Sequence, residues 1–130
     1  KTHTSNGKQQ VTQWEYDKLN RIAKLTYPAG DEYSYRYDPA GNLAYKLLPN
    51  SPQIDFVYDD INRLTQRSDS SGTIDYVYDK NGNLTVQTQV SLSADGSGTE
   101  TFAYDQFDRM TSKQDIYGNV STYGYDNNGN

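Results

Sequence analysis

Side chains that commonly carry out catalysis are scarce in this sequence of 130 residues. His3 is the only histidine and there is no cysteine, so neither a Ser-His-Asp nor a Cys-His unit can be assembled, and disulfides and thiolate metal sites are excluded. The 14 aspartates create chance neighbours such as Asp59 and Asp60, but no pair stands out as the acid and base of a glycoside hydrolase. We therefore expect no catalytic residue, and an enzyme is the most remote of three hypotheses.

Two short segments resemble parts of a calcium-binding loop, which needs oxygen ligands at fixed spacing and a bidentate glutamate near its end. They run from Asp79 to Asn83 and from Asp126 to Asn130. The first has Thr88 where the glutamate is required, and the second reaches the end of the sequence before that position. Because Asn-Gly also suits a tight hairpin turn, we favour turns at both places and expect no metal and no cofactor.

The charge and the composition exclude further classes. The net charge is −5, and lysines and arginines are scattered without a basic stripe, so we expect no nucleic-acid partner. No stretch approaches the roughly 18 consecutive apolar residues of a membrane span. Hydrophobic residues make up only 33%, but 13 residues are tyrosine, whose rings can supply the apolar contact area that aliphatic side chains lack. We therefore predict a folded chain.

The dominant feature is a Tyr-Asp pair that occurs six times, at spacings of 21, 21, 20, 26 and 21 residues. An aromatic residue precedes each of these tyrosines by two positions, which places both rings on one face of a strand because strand side chains alternate. Repeated positions usually have repeated structural roles, so we interpret the pairs as structural. They are Tyr16-Asp17, Tyr37-Asp38, Tyr58-Asp59, Tyr78-Asp79, Tyr104-Asp105 and Tyr125-Asp126.

A turn signal follows each Tyr-Asp pair. Four residues after the tyrosine comes Gly, Asn or Asp, the types that enter left-handed backbone geometry at least cost. These turn residues are Asn20, Gly41, Asn62, Gly82, Asp108 and Gly129. The aspartate of each pair opens the turn, where its carboxylate can accept hydrogen bonds from nearby backbone N–H groups.

A second turn signal, such as Gly30 or Gly118, lies between successive copies, so each unit consists of strand, turn, strand and turn. We predict an all-β fold of tandem antiparallel β-hairpins of about 21 residues, stacked into a curved, spiralling sheet. Residues 1–10 form a polar N-terminal stretch that is frayed or a partial repeat. Residues 11–130 hold six tandem repeats, the last one truncated, with a longer hairpin at about residues 86–101.

The six turns alternate between two types. The first, third and fifth repeats carry a large apolar residue and then Asn or Asp followed by Arg, whereas the others carry Gly-Asn. The large residues are Leu19, Ile61 and Phe107. We expect two turn types taken alternately, with these apolar side chains packed over the rim of a neighbouring hairpin.

The pattern aromatic-x-Tyr-Asp-x-x-Gly-Asn-Leu-Thr resembles the YD repeat of the Rhs family. The segment from Tyr76 to Thr85 is a close match, the segment from Tyr35 to Leu43 is another, and the likeness extends from about Val11 to Asn130. In Rhs polymorphic toxins and in the BC components of ABC-type toxin complexes, such repeats form a hollow β-sheet shell around a toxic domain. Teneurins and wall-associated bacterial proteins carry similar repeats.

The resemblance implies a non-enzymatic segment of an exported bacterial protein, located outside the cell or on its surface. Its partners would be the remaining repeats of the same polypeptide and an enclosed effector domain. Family members of the toxin type cleave themselves near an Asp-Pro-x-Gly-Leu motif, but here Asp38-Pro39-Ala40-Gly41 is followed by Asn42 and lies inside an ordinary repeat. Cleavage is therefore not carried over.

The aromatic residues also support a second hypothesis, a module that binds carbohydrate or another cell-surface ligand. Exposed Tyr and Trp rings in a row on a sheet would provide a stacking platform for sugar rings. Trp14, Tyr33 and Tyr45 are the candidates. Most of the other aromatic residues follow the repeat, so the structural reading is the stronger one.

Overall fold

The computed structural model describes residues 2–5, 10–93, 96–126 and 128–130, with the backbone alone described for residues 2–5 and 10. This part of the chain contains twelve β-strands and no helix. Each strand contains at least one β-branched or aromatic residue, and Gly, Asn, Asp, Ser and Pro are frequent in the turns between strands. The predicted all-β class of tandem antiparallel hairpins is confirmed.

The strands fall into two units, Lys1–Arg63 and Leu64–Asn130. In each unit, strands that follow one another along the chain pair antiparallel in that order. The first unit contains β1 (Thr2–Ser5), β2 (Gln10–Tyr16), β3 (Ile22–Thr26), β4 (Glu32–Tyr37), β5 (Leu43–Leu47) and β6 (Ile54–Tyr58). The second contains β7 (Leu64–Asp69), β8 (Gly72–Tyr78), β9 (Leu84–Ser91), β10 (Gly98–Tyr104), β11 (Met110–Gln114) and β12 (Val120–Thr122).

Two of the expected boundaries remain predictions. The polar stretch 1–10 includes β1, whose backbone pairs with β2, but residues 1 and 6–9 lie outside the described residues. The longer hairpin at 86–101 includes most of β9 and the start of β10, and residues 94 and 95 within it lie outside the described residues as well.

The register within the first unit shows which side chains share a face. Trp14 lies opposite Leu25, and Leu25 lies opposite Tyr33, so these three side chains are on one face. The adjacent ladder positions place Lys24 opposite Ser34, and Arg36 opposite Tyr45, on the other face. Apolar and aromatic side chains therefore gather on one face, while the other face of this unit is mainly polar.

A β-bulge follows the Asp turn in each hairpin for which the register is described. Glu15 lies opposite Lys24, but its neighbour Tyr16 lies opposite Ile22, which leaves Ala23 without a partner residue. The residues in the corresponding position of the later hairpins are Ala44, Thr85 and Thr111. The strand that follows each of these turns therefore has one extra residue near its start. The sequence analysis did not predict this feature.

Among the described residues no hydrophobic side chain is fully buried, because each unit is a single layer of sheet. Leu19, Ile61 and Phe107 are 71%, 68% and 68% exposed, so the expectation that they pack over a neighbouring hairpin is wrong. The reason is local. The backbone N–H of Leu19 turns inward and donates to the Asp17 carboxylate at 2.9 Å, which leaves the side chain on the outside of the turn.

Candidate functional site

The repeated element is a five-residue loop that begins at the aspartate of each Tyr-Asp pair, and we call it the Asp loop. In the first copy the N–H of Asp17 donates to the carbonyl of Arg21 at 2.9 Å, and the N–H of Asn20 donates to the carbonyl of Asp17 at 3.1 Å. The same two bonds occur in every copy. The Asp loops span residues 17–21, 38–42, 59–63, 79–83, 105–109 and 126–130.

The aspartate carboxylate holds the loop from inside. Oδ1 of Asp17 accepts hydrogen bonds from the backbone N–H groups of Leu19 and Arg21, both at 2.9 Å. The third and fifth residues donate in the same way in the other copies, and at Asp38 the fifth-residue bond comes from Asn42 at 2.8 Å. These carboxylates therefore satisfy the backbone of their own turns.

These hydrogen bonds lower the pKa of every Asp-loop aspartate. The pKa of Asp17 lies below its ordinary value chiefly because the backbone N–H of Arg21 donates to it, and partial desolvation opposes this shift. For Asp38, desolvation acts to raise the pKa but is outweighed by hydrogen bonds from the side chain and the backbone of Asn42. The carboxylates are ionised at neutral pH, which suits a structural acceptor and does not suit a general acid.

The fourth residue of each loop has a positive φ. The angles are 61° at Asn20, 64° at Asn62 and 59° at Asp108, and 99°, 99° and 87° at Gly41, Gly82 and Gly129. Asn and Asp tolerate this left-handed region better than other residues that have a side chain, and Gly enters it without strain. The six turn residues singled out in the sequence thus occupy equivalent places in the structure.

The fifth residue divides the loops into two types. In the first, third and fifth loops an arginine binds the aspartate that opens its own loop, with Nε to Oδ2 distances of 2.8, 2.7 and 2.8 Å at Arg21, Arg63 and Arg109. In the second and fourth loops an asparagine amide takes the same place, with Nδ2 to Oδ2 distances of 3.0 Å at both Asn42 and Asn83.

Tyrosines of the second, fourth and sixth repeats link neighbouring strands. The Tyr37 hydroxyl donates to the carbonyl of Ile22 at 3.1 Å, and Tyr78 and Tyr125 donate to the carbonyls of Leu64 and Met110, both at 2.8 Å. Each accepting carbonyl belongs to the residue that directly follows the preceding Asp loop. The tyrosine therefore fastens the start of one strand to the end of the next.

Arginine strengthens this link. The guanidinium carbon of Arg21 lies 4.3 Å from the centre of the Tyr37 ring, and that of Arg109 lies 4.5 Å from the centre of the Tyr125 ring. Both are cation–π distances. The other tyrosines of the repeat differ, since in the described part of the chain Tyr58 and Tyr104 do not donate to a backbone carbonyl, and Tyr16 is 40% exposed. Partial desolvation and then the charge of Asp38 raise the pKa of Tyr58.

Asparagine forms the complementary link between loops. The Asn42 amide donates to Oδ1 of Asn62 at 2.7 Å, so it joins the second Asp loop to the third. The amides of Asn81 and Asn83 both donate to Oδ1 of Asp108, at 2.8 and 2.7 Å, and join the fourth loop to the fifth. In each case the acceptor is the residue with positive φ in the next loop.

The sequence analysis missed a seventh loop of this kind, at residues 115–119. Oδ1 of Asp115 accepts from the N–H groups of Tyr117 and Asn119, and Oδ2 accepts from the Asn119 amide at 2.8 Å. Gly118 has a φ of 86°. The signal is the spacing Asp-x-x-Gly-Asn without a preceding aromatic-x-Tyr, which a search for Tyr-Asp pairs alone cannot detect.

The three aromatic residues considered for sugar binding do not form one row. Trp14 and Tyr33 share the apolar face of the first unit, whereas Tyr45 lies on the polar face. Tyr33 makes an edge-on contact with Tyr27 at 5.5 Å between ring centres. Tyr45 lies in an open groove of about 400 Å³ whose lining includes Glu15, Ser34 and Arg36.

The described residues lack two features that would suggest other functions. No group of three or more His, Cys, Asp or Glu side chains is arranged to hold a metal ion there. Nor does that part of the chain contain a helix long and apolar enough to cross a membrane.

Hairpins joined by Asp loops and fastened by tyrosine hydroxyls define a tandem β-hairpin repeat of the YD type. The RHS repeat family matches residues 16–46 and 58–91, together 65 of the 130 residues. The chain belongs to the RHS repeat family, which confirms the resemblance seen in the sequence.

Two curated relatives are large proteins. The chain is 29% identical over 127 residues to the tRNA3(Ser)-specific nuclease WapA of Bacillus spizizenii, covering 85% of this chain and 5% of that protein. It is 31% identical over 120 residues to the tRNA nuclease WapA of Bacillus subtilis strain 168, covering 88% of this chain and 4% of that protein. The chain thus spans a small part of these relatives.

Solved structures show a similar fold. The crystal structure of TcdB2-TccC3-TEV has a TM-score of 0.74 and 16% identity, covering 89% of this chain and 6% of that one. A Photorhabdus luminescens Tc holotoxin pore has a TM-score of 0.50 and 16% identity, covering 93% and 9%. At these identities the likeness concerns the fold.

Proposed function

We propose that this chain is a non-enzymatic structural segment of an exported bacterial Rhs-type protein. It would form part of a β-sheet shell that encloses or displays a toxin, effector or adhesion domain. The observation that carries the proposal is the repeated link between hairpins. Tyrosine hydroxyls bind backbone carbonyls of the preceding strand, and arginine and asparagine side chains of the Asp loops bind their own loop or contact the next repeat. These side chains therefore hold neighbouring hairpins together.

The single-layer architecture supports a segment that depends on neighbours. A repeat that buries no side chain completely gains stability from its contacts with adjacent repeats, so its natural partners would be further repeats of the same polypeptide and the domain that they surround. Membership of the RHS repeat family supports a location outside the cell or on its surface. The nuclease activity in the names of the relatives belongs to proteins of which this chain matches 4–5%.

Limited proteolysis of the polypeptide that carries this segment tests enclosure. We expect the effector domain to survive protease in the wild type and to be digested faster in a variant with Tyr37→Ala, Tyr78→Ala and Tyr125→Ala, which breaks three of the links between hairpins. Tyr45→Ala is the matched control, since the Tyr45 hydroxyl donates to no backbone carbonyl in the described part of the chain. An effector that is digested equally fast in the wild type and in the triple variant would overturn the proposal.

A nuclease assay tests the absence of catalysis. The purified chain should leave tRNA intact, because the Asp-loop carboxylates are held by backbone N–H groups. Cleavage that disappears with a single aspartate substitution, such as Asp59→Asn, would assign the segment an enzymatic role.

Carbohydrate binding is a second candidate, favoured by one observation. The groove beside Tyr45 combines an aromatic ring with the Ser34 hydroxyl and the Arg36 guanidinium, whose carbon lies 5.8 Å from the ring centre. Aromatic faces flanked by polar groups suit sugar rings. Titration with a polysaccharide panel, followed by Trp14 fluorescence and calorimetry, should give saturable binding that Tyr45→Ala abolishes and Tyr33→Ala, on the opposite face, leaves unchanged. A panel without any binding would remove this candidate.

A further inference from the structure

The residue just before the tyrosine of a Tyr-Asp pair lies opposite a residue of the next strand, and the side chains of this cross-strand pair change from copy to copy. The backbone register at this place is the same in every copy for which it is described, so it does not dictate which side chains are used. This position is therefore available for a role that the repeat itself does not require. The cross-strand pairs are Glu15 with Lys24, Arg36 with Tyr45, Val77 with Val86, and Ala103 with Ser112.

Arg36 differs from the other four arginines of the chain. Its guanidinium makes no ion pair and no hydrogen bond with the described residues, although the residue is exposed and lies on an interior strand that is paired on both sides. A guanidinium presents five N–H donors in a planar arrangement that matches the two oxygens of a carboxylate. The donors of Arg36 are therefore available to a ligand. The other arginines each bind an aspartate, at 2.7 Å for Arg21, Arg63 and Arg109 and at 2.8 Å for Arg67.

The groups around Arg36 would supply the rest of a binding site. The guanidinium carbon lies 5.8 Å from the centre of the Tyr45 ring, and Ser34 lies two residues before Arg36 on the same face. The hydroxyls of Ser34 and Tyr45 have no hydrogen-bond partner among the residues that the structure describes. All three side chains line the open groove, so a ligand there would meet a cation, an aromatic ring and two hydroxyls.

The charges of the groove favour an anion at one end. Its other two cations, Arg21 and Lys24, are each bound to a carboxylate, at 2.7 and 2.6 Å. Arg36 is thus the uncompensated positive charge of the lining, whereas Glu15, which forms no ion pair within the described part of the chain, lies two strands away on β2. A ligand carboxylate would be attracted to the Arg36 end and repelled from the Glu15 end.

We propose that this groove binds an acidic polysaccharide, with the carboxylate of a uronic acid residue on Arg36 and the face of its sugar ring on Tyr45. The inference rests on the carbohydrate binding proposed above for the same groove and names the class of sugar. A uronic acid joins its carboxylate directly to a ring that has an apolar face, so one residue can reach both the guanidinium and the aromatic ring. The side chain of an aspartate or glutamate has the carboxylate but no ring face to place on Tyr45.

Calorimetric titration of the chain with a charged polymer and its neutral counterpart tests the class of ligand. We expect saturable binding of polygalacturonate or alginate, and binding of methyl-esterified polygalacturonate that is weaker by roughly tenfold to a hundredfold, the factor for one hydrogen-bonded contact to a charged group. Equal binding of the acid and the ester would overturn the role of the carboxylate and leave carbohydrate binding standing. No binding of any polymer would remove both. Polyglutamate that binds as tightly as polygalacturonate would assign the groove to an acidic peptide instead.

Two variants at Arg36 test the residue itself. Arg36→Gln should weaken polygalacturonate binding by the same factor as esterification, and Arg36→Lys should restore only part of it, because an ammonium group cannot donate two parallel hydrogen bonds. The control is Lys46→Gln, which makes the same change in net charge at the neighbour of Tyr45 in β5, on the opposite face. Since Arg36 holds no other residue through a hydrogen bond among those described, its variants should keep the circular dichroism spectrum of the wild type. Unchanged affinity in Arg36→Gln, or an equal loss in Lys46→Gln, would refute the site.

Discussion

The first three Asp loops have the same backbone hydrogen bonds, but they are joined to their neighbours in two different ways. One kind of link joins the first loop to the second repeat, and the other joins the second loop to the third. In the first, which we call the Arg junction, Arg21 lies over the Tyr37 ring and the Tyr37 hydroxyl binds the Ile22 carbonyl. In the second, which we call the Asn junction, the Asn42 amide binds the side chain of Asn62.

The difference separates two tasks within one loop. The aspartate and the left-handed fourth residue close the turn in every copy, whereas the fifth residue determines how the turn is joined to its neighbour. The second unit follows the same rule, with Arg109 over Tyr125 and with Asn83 bound to Asp108. The structural period is therefore two hairpins, and each loop is both a turn and a connector.

Acid should have the largest effect, because it acts on all Asp loops at once. The pKa of each Asp-loop carboxyl lies below the ordinary 3.8, for Asp17 chiefly through the backbone N–H of Arg21 and for Asp59 through that of Arg63. Such a group stabilises the fold fully above the unfolded pKa, and this contribution is lost as the pH falls through the folded value. The urea concentration at which half of the protein is unfolded should stay constant from about pH 7 to pH 5 and should decrease once the pH is below about 4.

Replacing a single Asp-loop aspartate with asparagine removes its charge at neutral pH and shows how much each junction type depends on that charge. Asp17→Asn should destabilise the chain more than Asp38→Asn at pH 7, since only Asp17 also forms an ion pair, at 2.7 Å with Arg21. Thermal unfolding of the two variants gives the comparison. A larger loss at Asp38, or a midpoint that does not change down to pH 2, would contradict the role assigned to the carboxylates.

Truncation of the junction tyrosine should have the next largest effect. Tyr37→Ala removes a half-buried ring, its hydroxyl bond and the surface under Arg21, and we expect a loss of about 2–3 kcal/mol, below the range for fully buried aromatic residues. Tyr58→Ala should cost less, because the Tyr58 hydroxyl donates to no carbonyl among the residues that the structure describes. Urea denaturation measures both, and an equal or greater loss at Tyr58 would show that ring area alone determines stability.

The period of the Tyr-Asp pairs sufficed to predict the hairpins, because turn chemistry and strand alternation are local properties. The bulge at Ala23 was not predictable in the same way, since the extra residue is defined by which residue faces Glu15 across the ladder. The hydroxyl bond from Tyr37 to Ile22 likewise joins residues 15 positions apart. The alternation of Arg and Gly-Asn was visible in the sequence, but its meaning depends on contacts between neighbouring loops.

Removal of the hydroxyl alone isolates one hydrogen bond of the Arg junction. Tyr37→Phe keeps the ring beneath Arg21 and should lose about 0.5–1.5 kcal/mol, the usual net contribution of a hydrogen bond. Tyr58→Phe is the matched control and should be close to neutral. If both variants were neutral, the bond to the Ile22 carbonyl would contribute nothing to stability, and the arginine would be the main element of the junction.

The smallest effect should come from converting one junction type toward the other. Arg21→Asn gives the first loop the fifth residue of the second, so the amide can still bind the Asp17 carboxylate as Asn42 binds Asp38. What disappears is the guanidinium charge, which pairs with Asp17 and lies 4.3 Å from the Tyr37 ring. An ion pair at an exposed site contributes little because water screens it, and a cation–π contact there contributes about 0.5–1 kcal/mol. Calorimetric melting of Arg21→Asn, of Tyr37→Phe and of the double variant would show whether the two contacts to Tyr37 are coupled. If the double variant loses an amount of unfolding free energy that differs from the sum of the two single losses, the arginine and the hydroxyl act as one unit. If the losses add exactly, the Arg junction consists of two independent contacts on one ring.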